Sequence, residues 1–465
     1  MYGMLYRHVL LPAFERVKGR ATLRHWAAAE RSQWWPAERH AANQIVALQA
    51  LIEHAQRTCP YYSTEWSGLG LDARQVQTPA DFANWPLISR ETIHAHRVEM
   101  RTTAPCRMMS KATGGSSGEP LRFDLDAGSH DRRTALMHRG YGWAGGAPGT
   151  RQLFIWGGPL STLPRLRRWK QLLHTRLERH KLLNCFEFTP ERMRRHWQTL
   201  NRYCPDVIVA YTNPLYEFAR FLDEEKLSPF APRALIVGAE KLYDFQRALI
   251  ERVFQAPVFE TYGSREFMLI GAECDRHAGL HLSQENLLVE ILDDDGRPTP
   301  AGCEGNVVVT DLFNYGMPFI RYVNGDRAVA GWQTCPCGRG LPLLTQVTGR
   351  RLDTLETPDG RKVPGEFFPH LIKEFPEIRR FQVVQQVPEV ITLKLVAPFL
   401  LPQQQRRLLD AIHTCTGWDV KVDLQLVEQI PLTAAGKLKV VVRDFETRSA
   451  GLCTGALACG TLNDH

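Results

Sequence analysis

The sequence predicts an α/β protein: a large N-terminal doubly wound α/β domain with a β subdomain, followed by a small α+β C-terminal domain. Three observations carry this expectation. First, the short β-branched or aromatic runs Asp206–Tyr211, Ala234–Gly238 and Val258–Tyr262 alternate with segments of helical spacing around Pro214–Glu225 and Asp244–Phe254, the order that builds a parallel sheet covered on both faces. Second, from Leu287 the texture turns to hairpins: Leu288–Leu292 alternates, Asp293-Asp294-Asp295-Gly296-Arg297 turns and Asn306–Thr310 returns. Third, beyond Asp353 the order is helix (Phe367–Phe375), strands (Phe381–Gln385, Ile391–Val396), helix (Gln403–Cys415) and strands (Val420–Leu426, Lys439–Val442), a unit large enough to fold alone.

The 465 residues exceed one compact core. The expected division is 1–350, with a mainly helical lead-in over 1–100 and the β subdomain over 285–348, then 351–446, then a disordered tail over 447–465. With 44% hydrophobic and 23% charged residues the composition is that of a globular protein, and the net charge of +7 suits anionic small molecules, a membrane surface or nucleic acid alike. Eleven cysteines, mostly scattered singly, suggest free thiols in a reducing compartment and a cytoplasmic location. The apolar run His8–Phe14, broken by Pro12, is too short for a signal peptide or a span and leaves room only for peripheral membrane contact.

In chain order, residues 21–56 carry apolar positions at helical spacing, and Cys59-Pro60-Tyr61-Tyr62 ends them. Asp72–Trp85 reads as a short helix and turn, and Ser89 as the N-cap of the next helix. Ser129–Gly142 reads as a helix and Gln152–Trp156 as a buried strand closed by Gly157-Gly158. The basic segment Arg165–Arg179 has only Trp169 for stacking, so a solvated helix face fits better than a nucleic-acid site. The Asp293–Asp295 run lacks the spacing and closing Glu of an EF-hand and reads as a hairpin turn.

The densest signal is Thr113-Gly114-Gly115-Ser116-Ser117-Gly118-Glu119-Pro120, between Met108-Met109 and the strand-like Leu121–Leu125. Its glycines and hydroxyls form a loop whose N–H groups can face an anion. A phosphate-binding Walker loop is excluded, because Lys111 precedes the glycines and a strand pattern follows. The same letters satisfy Gly-x-Ser-x-Gly, which would make Ser116 a hydrolase nucleophile only with a helix after it. Ligands of doubly wound sheets sit beyond the strands' carboxyl ends, where Gly238-Ala239-Glu240 and Gly263-Ser264-Arg265-Glu266 fall.

Across roughly Gln44–Asp444 these residues resemble the adenylate-forming ligases, on the side of the phenylacetate-coenzyme A ligases and CapK-like capsular polysaccharide proteins. The loop Thr113–Pro120 resembles the family's phosphate loop, with Glu119 where ligases tend to carry Lys. Tyr262-Gly263-Ser264-Arg265-Glu266 resembles a Tyr-Gly-x-x-Glu motif, and Arg321-Tyr322-Val323-Asn324-Gly325-Asp326 an Arg-Tyr-x-x-x-Asp motif. Gly349-Arg350-Arg351-Leu352-Asp353 resembles the inter-domain hinge, and Pro431–Lys437 the loop with the catalytic Lys.

The resemblance implies an ATP- and Mg²⁺-dependent ligase that adenylates a small carboxylic acid, with an aromatic acid as one candidate, and passes the acyl group to coenzyme A or another acceptor. It implies catalysis by Lys437, Glu266 and Thr113, with Mg²⁺ on Glu266. It assigns nucleotide binding to Thr113, Gly114, Gly115, Ser116, Ser117, Gly118, Gly238, Ala239, Glu240, Thr261, Tyr262, Gly263, Asp326, Arg350 and Lys437. Leu352 stands where family hinges carry Asp or Lys. A place in polysaccharide biosynthesis and no nucleic-acid partner complete the expectation, with the oligomeric state open and a homodimer one candidate, against two alternatives: a serine hydrolase or a non-catalytic accessory protein.

Cys335-Pro336-Cys337 taken alone is as consistent with a plain turn as with metal ligation, and Cys274 with His281 or His277 would complete a four-ligand set. Related proteins with a Cys-Pro-Cys-Gly-Arg turn and an upstream Glu-Cys bind structural zinc, which implies Cys274, His281, Cys335 and Cys337.

Overall fold

The computed structural model describes residues 2–113, 120–157, 165–185, 189–331, 334–348, 355–363, 365, 367–372, 374–375, 377–378, 380–430 and 440–443. The chain starts with α1 (Tyr2–Leu5), a π turn (Tyr6–Leu10) and α2 (Leu11–Lys18). Pro12 has no N–H to close the ladder, and the turn before it widens so that the Leu11 N–H bonds the Tyr6 carbonyl. The helix expected over 21–56 is two, α3 (Thr22–Ser32) and α4 (Ala37–Thr58). Pro36 parts them, because it cannot donate and it holds Trp35 out of helical geometry. Leu48, Leu51, Ile52 and Ala55 form the buried stripe of α4.

Pro60 both ends α4 and opens α5 (Pro60–Gly68), since a first-turn proline forfeits no helical bond. After α6 (Pro79–Phe82), α7 (Arg90–His96) begins at Ser89, whose hydroxyl accepts from the Thr92 N–H at 3.2 Å. β1 (Met108–Ala112) and β2 (Arg122–Asp126) form an antiparallel hairpin with Ala112 opposite Arg122, so the glycine-rich segment is its loop. Asp126 caps α8 (Ala127–Trp143), accepting from the Ser129 N–H at 2.8 Å.

The core alternates β3 (Gln152–Trp156), α9 (Arg165–Leu177), β4 (His180–Asn184), α10 (Pro190–Tyr203), β5 (Val207–Tyr211), α11 (Thr212–Glu224), β6 (Ala234–Gly238), α12 (Asp244–Phe254) and β7 (Val258–Ser264). It continues through β8 (Met268–Glu273), β9 (Leu280–Leu282), β10 (Leu287–Leu292), β11 (Glu304–Asp311), β12 (Tyr322–Ala330) and β13 (Leu343–Val347). All thirteen except the β1/β2 hairpin lie in one eleven-stranded sheet, ordered β10-β11-β12-β13-β9-β8-β7-β6-β5-β3-β4. Strands β4 to β7 pair parallel, and from β7/β8 onward the pairing is antiparallel. The hairpins expected as an appended β subdomain therefore extend the main sheet.

On the parallel half, Leu153, Ile155, Ile208 and Ala210 pack with Leu215 and Phe218 of α11. Val207, Val209 and Ile236 pack with Tyr141 of α8 on the opposite side, so helices cover both faces. The Asp293 turn is a hairpin turn as expected, its Oδ1 accepting from the N–H groups of Asp295 and Arg297.

The C-terminal part begins with the two-stranded β14 (Leu355–Glu356) and β15 (Lys362–Val363) and α13 (Phe367–Ile372). A four-stranded sheet follows, ordered β18-β17-β16-β19, from β16 (Arg380–Val387), β17 (Val390–Val396), β18 (Lys421–Leu426) and β19 (Val441–Arg443). Its alternating buried Phe381, Val383, Ile391, Leu393 and Leu395 meet Leu408 and Ile412 of α14 (Pro402–Thr416). No helix among the described residues is long and apolar enough to cross a membrane.

Candidate functional site

The expected ligand-contacting residues gather around the carboxyl ends of β6 and β7. Gly238 closes β6, and a Cβ there would sit 2.6 Å from Thr261 Oγ1, so the strands approach only through a glycine. Thr261 Oγ1 donates to the Val237 carbonyl at 2.7 Å. Ala239 takes a left-handed φ of +70°, turning the chain sharply out of the sheet. Glu240 Oε2 accepts the Asn213 N–H at 2.7 Å and its carbonyl accepts from Thr212 Oγ1 at 3.0 Å, which ties this turn to the first residues of α11.

Tyr262 and Asp326 meet, although 64 residues separate them: the phenol donates to Asp326 Oδ2 at 2.8 Å. Asn324 completes a triangle, its Nδ2 donating to the Tyr262 hydroxyl at 2.7 Å and to Asp326 Oδ2 at 3.1 Å. Asn324 fills a variable position of the Arg-Tyr-x-x-x-Asp pattern, so the motif alone gives it no role. Gly263 is a bulge, and a Cβ there would lie 1.9 Å from the Met268 carbonyl.

Glu266 is buried in the turn between β7 and β8. Its carbonyl accepts from Arg133 Nη1, and its carboxylate has no hydrogen bond or ion pair with another described residue. The preceding Arg265 donates from Nε to the Ala112 carbonyl at 3.2 Å, pinning this turn against the end of β1. Next to Ala112, Thr113 is buried and its Oγ1 accepts from the Leu121 N–H at 2.9 Å and from Arg90 Nη2 at 3.3 Å. Arg90 is a further residue the sequence did not single out, because a helix-start arginine carries no local signature. Lys111 lies close by, its ammonium lowered in pKa by burial and by Arg265 and Arg133.

Arg321 belongs to the same motif yet serves the fold. It is buried, with Nε and Nη2 on Glu290 at 3.1 and 3.0 Å and Nη1 on the carbonyls of Ala83 and Trp85. Gly114, Gly115, Ser116, Ser117, Gly118, Arg350, Leu352 and Lys437 lie outside the described residues.

A second cluster lies across β8, β9 and the turn before β13. Ligand atoms of Cys274, His281, Cys335 and Cys337 all fall within 4.8 Å of one another. The Cys274 and Cys335 sulfurs are 3.6 Å apart, and Cys337 Sγ is 3.4 Å from His281 Nε2. A tetrahedron of zinc–sulfur bonds of about 2.3 Å has edges near 3.7 Å, so the donor set fits that ion. His281 Nδ1 lies 3.3 Å from the Leu341 carbonyl, which fixes the ring with Nε2 toward the thiols. Burial lowers the His281 pKa to about 4 and so keeps the ring neutral. His277, the alternative ligand, points elsewhere, with Nδ1 3.1 Å from Glu273 Oε2.

A doubly wound sheet with an antiparallel extension, a separate β1/β2 hairpin and a small C-terminal α+β unit together make the adenylate-forming ligase fold. The solved 2-hydroxyisobutyryl-CoA ligase, in the postadenylation state in complex with R3-HIB-AMP, shares it with a TM-score of 0.58 over 89% of this chain and 92% of that one at 19% identity. The resemblance to the phenylacetate-coenzyme A ligase and CapK side of that superfamily holds. Residues 355–444 match the family model of the CapK C-terminal domain. The chain is 21% identical to protein CapK of Staphylococcus aureus over 282 residues, 60% of each protein, so the match spans under two thirds of that relative. It is 24% identical to phenylacetate-coenzyme A ligase of Aromatoleum evansii over 327 residues, 68% of this chain and 71% of that one.

Proposed function

We propose that this protein is an ATP- and Mg²⁺-dependent ligase that activates a carboxylic acid as its acyl adenylate and transfers the acyl group to coenzyme A or another acceptor. The observation that carries this reading is the convergence, on one end of the sheet, of the Tyr262–Asn324–Asp326 triangle with the Arg265–Ala112 contact. That contact brings the glycine-loop hairpin against the Glu266 turn.

In the first half-reaction a carboxylate oxygen attacks the α-phosphorus and pyrophosphate leaves; in the second the acceptor attacks the acyl carbon and AMP leaves. Both anions of the first step must be held together against their repulsion. Asp326, oriented through Oδ2 by Tyr262 and Asn324, accepts the ribose hydroxyls, and the tethered Tyr262 ring offers its face to adenine. Thr113, its oxygen already accepting from Arg90 and Leu121, acts as a hydroxyl donor toward phosphate, together with the N–H groups of the 114–118 loop. The Glu266 carboxylate has no hydrogen-bond or ion-pair partner among the described residues and its oxygens are not sealed from solvent, so it is open to a cation and fits the Mg²⁺ role, and that ion when bound would neutralise phosphate charge. Lys437 supplies a further positive charge for the first step. Zinc on Cys274, His281, Cys335 and Cys337 would have no open position and so acts as a structural staple.

The hydrolase reading loses its structural context, because the next described element after the Gly-x-Ser-x-Gly letters is the strand β2 and the elbow needs a helix there. The experiment is pyrophosphate release from ATP across an acid panel, with Lys437→Ala abolishing it; unchanged turnover in that variant would refute the lysine's role. Absence of both nucleotide binding and pyrophosphate release in a folded protein would favour a non-catalytic accessory.

A further inference from the structure

A cavity of about 1110 Å³ lies beneath the parallel half of the sheet, on the α8 side. It follows β3 from Gly157 at the carboxyl end to Gln152 at the amino end, about 17 Å at the rise of an extended strand. Its walls are mostly apolar: Phe154 and Val209 from the sheet, Met137 and Tyr141 from α8, and Tyr6 and Leu11 from the N-terminal helices. The volume is at the top of the range of about 300–1,000 Å³ that serves drug-sized ligands, far beyond the needs of a small aromatic acid.

The carboxyl end of the cavity lies on the same edge of the sheet as the proposed reaction centre, since β3, β5, β6 and β7 pair parallel. The ring of Trp156, which lines that end, packs 3.9 Å between centroids from Tyr211, and Tyr211 pairs in register with Gly238. The other end is polar and opens to the surface at Arg176, Glu178 and His180.

That surface is unusual in its own right. Tyr2 donates to the Leu177 carbonyl at 2.7 Å, and Phe14 meets His174 edge-on, so the N-terminal helices and α9 share one face of the protein. Met4, Val9, Trp169 and Leu173 there are 65%, 53%, 71% and 61% exposed. Residues 2–20 hold four Lys/Arg and one Glu, and residues 165–182 hold seven Lys/Arg and one Glu, a net charge of +9 against +7 for the entire chain. The two segments that meet on this face thus carry in their sequence all of the chain's excess positive charge, together with exposed Trp, Leu and Met side chains, the pattern of a segment that lies on an anionic lipid surface.

We infer that the acid is a long-chain amphiphile whose tail fills the cavity along β3, taken up from an anionic membrane on which the N-terminal helices and α9 rest. The inference rests on the ligase reading above and adds the class of acid and where it is met. The carboxylate reaches the reaction centre past Trp156, while the tail lies along Phe154 and Val209 toward the basic mouth.

The test is pyrophosphate release with straight-chain acids from butyrate to palmitate and with phenylacetate. Within the cavity's length, kcat/KM should rise about fourfold per methylene, the worth of a buried CH₂. Leu11→Trp, which narrows the cavity away from the reaction centre, should lower kcat/KM for palmitate at least tenfold more than it lowers that for butyrate; an equal effect on both acids would overturn the inference. Turnover of butyrate or phenylacetate with no gain on lengthening would overturn the inference and leave the ligase reading intact. No pyrophosphate release with any of these acids would overturn both. In flotation, the full chain should bind vesicles of equimolar phosphatidylcholine and phosphatidylglycerol but not phosphatidylcholine alone, and Arg176→Glu with Lys181→Glu should reduce binding severalfold. Equal recovery with the two vesicle types would overturn the membrane part.

Discussion

The hydroxyl of Tyr262 donates a 2.8 Å hydrogen bond to Oδ2 of Asp326, joining β7 to β12 across several intervening strands of the sheet. Asn324 keeps a second bond to the same oxygen, so Tyr262→Phe loses one support of the carboxylate and not both. Hydrogen bonds to charged groups are worth about 1.5–3 kcal/mol, and the Kd for ATP should rise by about tenfold or more in Tyr262→Phe. Asp326→Ala should lose nucleotide binding outright. Both are checked by calorimetric titration with ATP on protein shown to be folded.

Arg321 and Asp326 are five residues apart and should fail differently. Arg321 is sealed against Glu290, Ala83 and Trp85, and removing one partner of a buried ion pair costs about 3–5 kcal/mol. Arg321→Met should lower the unfolding midpoint in urea, whereas Asp326→Asn should leave it nearly in place and reduce activity.

A methyl group at Gly263 would stand 1.9 Å from a backbone carbonyl that no rotamer can move aside. Gly263→Ala must reopen the bulge that carries Glu266, at a cost on the order of 3 kcal/mol. Loss of thermal stability together with loss of pyrophosphate release is the expected pair of results.

Zinc content should be one ion per chain, and a strong chelator should lower the melting temperature by about 5 °C or more. Cys335→Ser should reproduce the chelator effect, and His277→Ala should not, since His277 faces Glu273. Metal analysis by atomic emission alongside the melts decides between them.

Burial, reinforced by Glu273, raises the Glu260 pKa to about 7 against an ordinary value of 4.5. The folded state therefore favours the protonated carboxyl: its full contribution to stability is present below pH 4.5 and is lost as pH rises toward 7. Glu260→Gln should be the more stable protein at pH 8, by an amount on the order of 3 kcal/mol, and should lose that advantage at pH 4. Urea unfolding of both proteins at the two pH values measures it.

Local patterns settled a good deal before any coordinates. Ser89 was legible as a cap because its hydroxyl acts on N–H groups three residues away. The strands β5 and β6 were legible because both faces are buried and the runs are continuously apolar. Asn324 and Arg90 were not legible, because their partners, Tyr262 and Thr113, lie 62 and 23 residues away. The split between α3 and α4 needed only a proper weighting of Pro36.

By itself the sequence determined the α/β alternation, which follows from short-range periodicity, and it carried a family resemblance that implied the ordered motif set and the zinc-site candidates. Tertiary structure alone decided that the hairpins between Leu287 and Val347 prolong the main sheet, that His281 and not His277 faces the three thiols, and that a cavity runs along β3 beneath the N-terminal helices. Strand partners, ring directions and voids depend on which distant segments pack together, and no local window of the chain contains that information.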